Sequence, residues 1–234
     1  MLDRGQWTEL GLLAECRTGI YTGDNASFLG YDSVRVHKRL NGHPIEWETQ
    51  VATVELTQAE QDNGISGCAC YVPIVRGGHH GCFEDILWAI KWNHEAVSYY
   101  RQNKKARLQN SKYYFRPGIS VPMVTTKKIS VAIMKNSIFD QGVVGVFPKE
   151  EQMRDAVLLY LNSNVASRKI KEIVNGSANN SANYLKRLPV PIFSSRDILN
   201  AHEIVRRAEQ DGLLKQEICN SFVNVVMEHF TTLQ

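Results

Sequence analysis

Residues 17–29 read RTGIYTGDNASFL. Two glycine-containing turns, Thr18-Gly19 and Thr22-Gly23, flank the strand-like pair Ile20-Tyr21, and Asp24-Asn25 leads into the apolar pair Phe28-Leu29. Glycine supplies turn dihedrals that other residues resist, and Asp and Asn bond back to nearby backbone groups. The stretch therefore predicts a tight polar loop pinned at both ends by core residues. A loop held this firmly can aim side chains at a partner, although the same spacing also suits a plain β-turn joining two strands.

Working outward, 234 residues with 43% hydrophobic content suffice for one folded domain, or one domain with an appendage. Asp3, Arg4, Glu9 and Glu15 interrupt the first fifteen residues, so no signal-like apolar stretch is present there. No run approaches the roughly eighteen apolar residues of a membrane helix, and a cytoplasmic protein with no membrane partner is expected. Five cysteines are an odd number in a chain large enough to do without staples, which predicts reduced thiols. Cys68, Cys70, His79, His80 and Cys82 bring metal-capable groups close in sequence. Yet no CxxC pair occurs, and Cys-x-Cys entering a strand puts both thiols on one face, where small buried hydrophobes belong. No metal site is expected.

The net charge of +3 is unevenly spread. Residues 76–135 hold eleven Lys and Arg against Glu84, Asp85 and Glu95, a local +8 that leaves −5 for the rest of the chain. A basic middle segment points to a polyanion partner; a merely solvated face is the alternative.

In chain order, residues 10–16 and 20–30 read as strands broken by turns, and SVRVHK at 33–38 as an alternating strand with Val34 and Val36 on one face. Asn41-Gly42 is a turn signal, residues 51–56 are again β-like, and Thr57 is placed to cap a short helix that Gly64 ends. Residues 71–75 form a buried strand running into Arg76-Gly77-Gly78-His79-His80, where exposed amides and long donors suit phosphates or base edges. A strand at 87–92 and a helix at 94–102 feed the basic run NKKARLQNSK (103–112). Strands follow at 113–115, 119–124, 128–134 and 143–147, with Lys127-Lys128 at a hairpin tip. An amphipathic helix at 150–162 continues helically over 165–174 before the loop NGSANNSAN (175–183). Asn amides can pair with adenine edges or cap backbone, so this loop either reads DNA or is a structural turn. Residues 197–210 and 214–230 carry helical apolar stripes broken at Asp211-Gly212 and form a C-terminal helical hairpin.

The pattern R-x-G-I-x-T-G-D-N-x-x-F-L at 17–29 resembles the opening signature of the TaqI-like C-terminal specificity domain of adenine-specific DNA methyltransferases. In the same order come NGI (63–65), VPIVRGG (72–78), WAIKWN (88–93), YYF (113–115), IFD (138–140), LNS (161–163) and LPVP (188–191), so that the likeness spans about residues 7–193. It implies an α+β fold: a mixed, mostly antiparallel sheet domain at 1–193 with peripheral helices, followed by the helical hairpin at 194–234. It further implies a module that grips double-stranded DNA. The residues expected to touch it are Arg17, Thr22, Asp24, Asn25, Arg76, Gly77, Gly78, His79, His80, Lys104, Lys105, Arg107, Lys127, Lys128, Asn175, Ser177, Asn179 and Asn180.

Catalytic signatures are missing. An adenine methyltransferase needs an Asn-Pro-Pro-Tyr-like motif and a glycine-rich turn for S-adenosylmethionine; the seven prolines include no Pro-Pro pair, and no GxGxxG follows a strand. No nuclease cluster, nucleophile elbow or Walker loop can be placed. The expectation is a target-recognition module without a cofactor of its own, serving a methyltransferase domain or subunit of a restriction-modification or phage-defence system. Two alternatives are a type I restriction-like specificity subunit recruiting methyltransferase and nuclease partners through its C-terminal helices, and an unrecognised enzyme using His79, His80 or Cys82.

Overall fold

The computed structural model describes residues 6–37, 41–52, 55–67, 69–77, 81–123, 129–173 and 181–231. It begins with β1 (Trp7–Glu9), the single helical turn α1 (Leu10–Leu13) and β2 (Ala14–Thr18). The loop after β2 ends in the turn α2 (Asn25–Phe28) and passes into β3 (Leu29–Asp32), β4 (His43–Ile45), α3 (Trp47–Gln50) and α4 (Gln58–Asn63). Next come β5 (Tyr71–Val75), β6 (Trp88–Lys91) and α5 (His94–Gln102), then β7 (Gly118–Pro122), β8 (Ala132–Met134), β9 (Ile138–Phe139) and β10 (Val143–Pro148). The remainder is α6 (Arg154–Leu161), α7 (Asn164–Ile173), α8 (Ala182–Lys186), β11 (Pro189–Pro191), α9 (Ser195–Gln210) and α10 (Gln216–Thr231).

The fold is α+β, with mixed but mostly antiparallel sheets. A four-stranded antiparallel sheet has the order β2-β10-β7-β8, and a five-stranded sheet the order β4-β3-β6-β5-β9, in which β3–β4 and β5–β9 are parallel pairs. A small antiparallel pair joins β1 to β11. Each larger sheet covers its own core, and β10 is the wall between them. Successive side chains of a strand point to opposite faces, so Val144 and Val146 enter one core while Val143 and Phe147 enter the other.

Helix α6 is the centre of the first core. Every residue from Asp155 to Leu161 is buried, so the amphipathic helix expected at 150–162 is instead covered on all sides, apolar from Ala156 to Leu161 with Asp155 paired to Arg154. It packs against β7 and β10 and against α7, α9 and α10. Ala201 and Val205 of α9, with Cys219, Phe222, Val223 and Val226 of α10, complete the same core. The expected LNS motif is structural in this place: the Asn162 side chain accepts from the Val131 amide at 3.1 Å and donates to its carbonyl at 3.3 Å, acting as a one-residue strand partner.

Several expected strands are absent for local reasons. At 33–37 the Asp32 carboxylate accepts the Val34 and Arg35 amides at 2.9 and 3.0 Å and curls the chain into a turn, leaving Val34 76% exposed. Leu10 to Leu13 make a helical turn rather than the start of a strand, and at 51–56 a single bridge from Val51 to Tyr71 stands in place of a strand among the described residues. Residues Ser111–Tyr113 form a 3-10 turn, and Phe115 takes a left-handed conformation (φ 61°), so YYF is no strand. By contrast, the Thr57–Glu60 capping box, the stop at Gly64 and helix α5 fall where the sequence puts them. The tip at 125–128 lies outside the described residues, as does the loop at 175–180; Ala182 and Asn183, expected as loop, open α8. Among the described residues no helix is long and apolar enough to cross a membrane.

Candidate nucleic-acid interface

The 17–25 loop does not stand alone. It runs antiparallel beside residues 105–113 and is stitched to them. Tyr21 and Arg107 exchange backbone hydrogen bonds at 3.2 and 2.8 Å, the Gln109 side chain donates to the Gly19 carbonyl at 2.7 Å, and that of Asn110 to the Thr18 carbonyl at 2.9 Å. Its other flank is held by the turn after β9, where Ile20 accepts from Gln141 and donates to Phe139, both at 2.9 Å. Two glycines permit this. Gly23 sits at φ 77°, and a Cβ there would lie 2.8 Å from the Lys105 carbonyl carbon; at Gly19, whose φ is not left-handed, a Cβ would lie 1.9 Å from the Phe139 oxygen. Gly19 is thus required by close approach, not by the turn conformation its sequence context suggests.

The loop's short side chains close it. Asp24 caps α2 by accepting from the Ser27 amide and hydroxyl at 3.1 and 2.6 Å, and these bonds, the hydroxyl's first, hold its carboxyl below the usual range with a smaller pull from Lys105. The Thr22 hydroxyl is buried and donates to Asn25 Oδ1 at 2.7 Å. Thr22 and Asp24 are therefore framework. The Asn25 amide nitrogen is left without a protein partner among the described residues.

Stitching the two segments lines up cations. Asn103 turns the chain after α5 by accepting the Lys105 amide at 2.8 Å, which puts Lys104 and Lys105 at an exposed tip. Arg107 lies over the Tyr21 ring at 5.2 Å from its centroid. Farther along, Arg17, Lys112 and Arg116 all surround the buried ring of Tyr113, at 5.3, 5.3 and 5.6 Å. Lys104, Lys105, Arg107, Lys112 and Arg116 are exposed, and none forms a salt bridge with another described residue. Arg17 alone of the ribbon's cations pairs with an acid, Glu15. Five unpaired cations on one ribbon, with two aromatic rings beneath them, form a surface suited to a string of phosphates.

Other expected contacts sit elsewhere. Arg76 is committed: it pairs with Asp140 at 3.0 Å and lies 4.3 Å from the Trp88 ring centroid. Burial pushes the Asp140 carboxyl up, against the opposing pull of Arg76. Since Ile20 pairs with Asp140 on the same turn, the Arg76–Asp140 pair braces the ribbon from behind. Arg101 is likewise tied to Asn63 and the Asp62 carbonyl, and Lys135 to Glu209. Gly78, His79, His80, Lys127, Lys128, Asn175, Ser177, Asn179 and Asn180 lie outside the described residues. Lys112 and Arg116 are not among the expected contacts, since Lys112 closes the basic run at 103–112 and 113–115 reads as a strand; two basic residues flanking the aromatic run YYF are the signal that points to them.

Of the residues named for an alternative chemistry, Cys82 is described, whereas His79 and His80 lie outside the described residues. Cys82 is buried in the first core, and burial pushes its thiol, like those of Cys16 and Cys219, up to about 12. Such thiols stay protonated and unreactive. Among the described residues no three His, Cys, Asp or Glu groups gather to hold a metal. At Gly77 the Gly142 carbonyl approaches to 3.0 Å of where a Cβ would sit. No protein-family model matches the chain and no curated protein matches it, so the functional reading rests on the ribbon's own chemistry.

Proposed function

We propose that the chain is a sequence-specific duplex-DNA recognition module of an adenine-N6 DNA methyltransferase, acting in the cytoplasm and non-catalytic by itself. The observation that carries this is the ribbon: Lys104, Lys105, Arg107, Lys112 and Arg116, exposed and without a salt bridge among the described residues, held beside the polar 17–25 loop. Phosphate contacts supply affinity and fix register, and polar side chains near them, Asn25 among those described, supply choice. The catalytic domain or subunit brings S-adenosylmethionine and the adenine pocket. The resemblance of the eight motifs to the specificity domains of such enzymes supports the same assignment.

A second role, as a specificity subunit that recruits methyltransferase and nuclease partners, is favoured by one feature of the C-terminal helices. Leu199 of α9 and Ile218 and Val225 of α10 are exposed at 72, 38 and 40%, and Leu213 between the two helices at 54%, and apolar side chains left outside a completed core suit a protein partner. Selection from random duplexes tests the main assignment. An enriched site is expected, with a log–log salt slope of about −0.9 for each phosphate that the five cations neutralise. Failure to bind any duplex at low salt would rule the assignment out.

A further inference from the structure

We propose that Arg17, Lys112 and Arg116, gathered around the ring of Tyr113, clamp a single phosphodiester group of the bound DNA backbone; this rests on the duplex-recognition function above. The three cations approach one ring to within 5.3–5.6 Å of its centroid. The ring cannot move away, since Tyr113 is buried and packs on Phe147 at 5.0 Å. Glu15, paired to Arg17, offsets only one of these three charges. The Arg17 Nε donor is buried without a hydrogen-bond partner, whereas buried donors are almost always satisfied.

The backbone holds the cluster in place. Asn110 and Phe115, on either side of Lys112, are both left-handed (φ 57° and 61°). That conformation is costly for a bulky residue such as Phe and persists only where the surroundings enforce it. The enforcing bonds are present: the Phe115 amide donates to the Ser137 carbonyl at 2.9 Å, the Asn110 side chain to Thr18 at 2.9 Å, and the Tyr114 hydroxyl to the Gln109 carbonyl at 2.7 Å. Cations anchored around one ring by a strained, well-tied segment offer a tetrahedral oxyanion charge-assisted hydrogen bonds. The clamp lies at the opposite end of the ribbon from Lys104 and Lys105, so a duplex would be gripped at two separated points.

The test uses the full chain and the variants Lys112→Gln, Arg116→Gln and their double. Both side chains are exposed, and the folds are checked by their amide NMR spectra. With duplex DNA, adding Arg17→Gln to the double variant removes the whole clamp and should flatten the log–log salt slope by about 0.9 relative to the wild type, one phosphate's worth. A flattening of about 1.8 would mean two separate phosphates and overturn the single clamp; no change would overturn the clamp and leave the duplex function standing. In parallel, inorganic phosphate should shift amide resonances of residues 112–116 in the wild type beyond what chloride does at equal ionic strength, and should not in the double variant. Phosphate shifts without any duplex binding would instead overturn the duplex assignment and make this a site for free phosphate, whereas neither signal would overturn both.

Discussion

Tyr21 and Arg107 are bound to each other twice: their backbones exchange hydrogen bonds at 3.2 and 2.8 Å, and the Arg107 guanidinium lies 5.2 Å from the centre of the Tyr21 ring. The first contact fixes where the basic segment runs, and the second fixes where its central cation stands. The two can be separated. Tyr21→Leu keeps the backbone pairing but removes the platform, an interaction worth about 0.5–1 kcal/mol at an exposed site. Duplex affinity should fall roughly two- to fivefold with little loss of thermal stability. Unchanged affinity would mean that Arg107 needs no positioning.

The glycine pair tests the stitching itself. Gly23→Val meets both a left-handed φ and the Lys105 backbone, and Gly19→Val drives a side chain into the Phe139 carbonyl. Each should cost at least about 1–3 kcal/mol in urea unfolding. The Gly19 variant should be the worse, because its Cβ would come closest to a backbone atom. Wild-type unfolding midpoints in both would show that the loop is not held as described.

Arg76 and Asp140 make stability depend on pH in a predictable direction. Burial raises the Asp140 carboxyl pKa and Arg76 lowers it, so Arg76→Ala should raise it further and leave a charge with no ionic partner, costing roughly 1–3 kcal/mol at neutral pH. An acid whose folded pKa lies above its unfolded one stabilises when protonated. That stability is fully present below the unfolded pKa, about 3.9, and is lost as pH rises through the folded value. The deficit of the Arg76→Ala protein should therefore shrink as pH falls from about 7 toward about 4. A deficit constant over that range would mean that the pair does not act through charge.

The motifs legible in the sequence turn out to touch one another. Gly19 of the opening signature abuts Phe139 of IFD, Arg76 of VPIVRGG pairs with Asp140 of the same motif, and Gly64 of NGI packs on Asn93, which ends WAIKWN and caps α5. Their residue types are dictated by close approach and pairing, which leave marks on sequence. What the sequence hid was long-range competition. Asp32 diverts 33–35 from a strand, and Asn110 and Phe115 adopt left-handed backbone that nothing in YYF announces. The burial of α6 on all sides was equally invisible, since it depends on α9 and α10 arriving from the far end of the chain. The site was half legible for the same reason. The charge of residues 76–135 is a sequence property, but which of those cations are tied to Asp140, Asn63 and Glu209 is a property of the fold.

Those helices should be integral to stability. Phe222 of α10 is buried in the first core and packs on Phe193 with ring centroids 6.0 Å apart. Phe222→Ala should cost about 3–5 kcal/mol, measured by urea unfolding, whereas Val225→Ala on the exposed side of the same helix should cost under about 0.5 kcal/mol. Equal, small effects at both positions would mean that α10 is only loosely docked.

The last expectation concerns how the ribbon meets DNA. Lys104, Lys105 and Arg107 are exposed, without salt bridges among the described residues, and carried by a segment whose backbone is tied to residues 19–23, so replacing all three with Ala should leave the fold intact. If each reaches a phosphate, the log–log salt slope should flatten by about 2.7, and affinity should drop for every duplex alike, because phosphates carry no sequence. Asn25 differs in kind, with an amide nitrogen that has no partner among the described residues and can meet a base edge. Asn25→Ala should leave the slope nearly unchanged and alter which duplexes are preferred, by about 1–3 kcal/mol for each base edge that Asn25 reads. Fluorescence anisotropy across a salt series, on duplexes taken from a selection, separates the two effects. A triple variant with wild-type affinity and slope would show that the tip of the ribbon faces solvent, and that DNA, if bound at all, lies against another face of the protein.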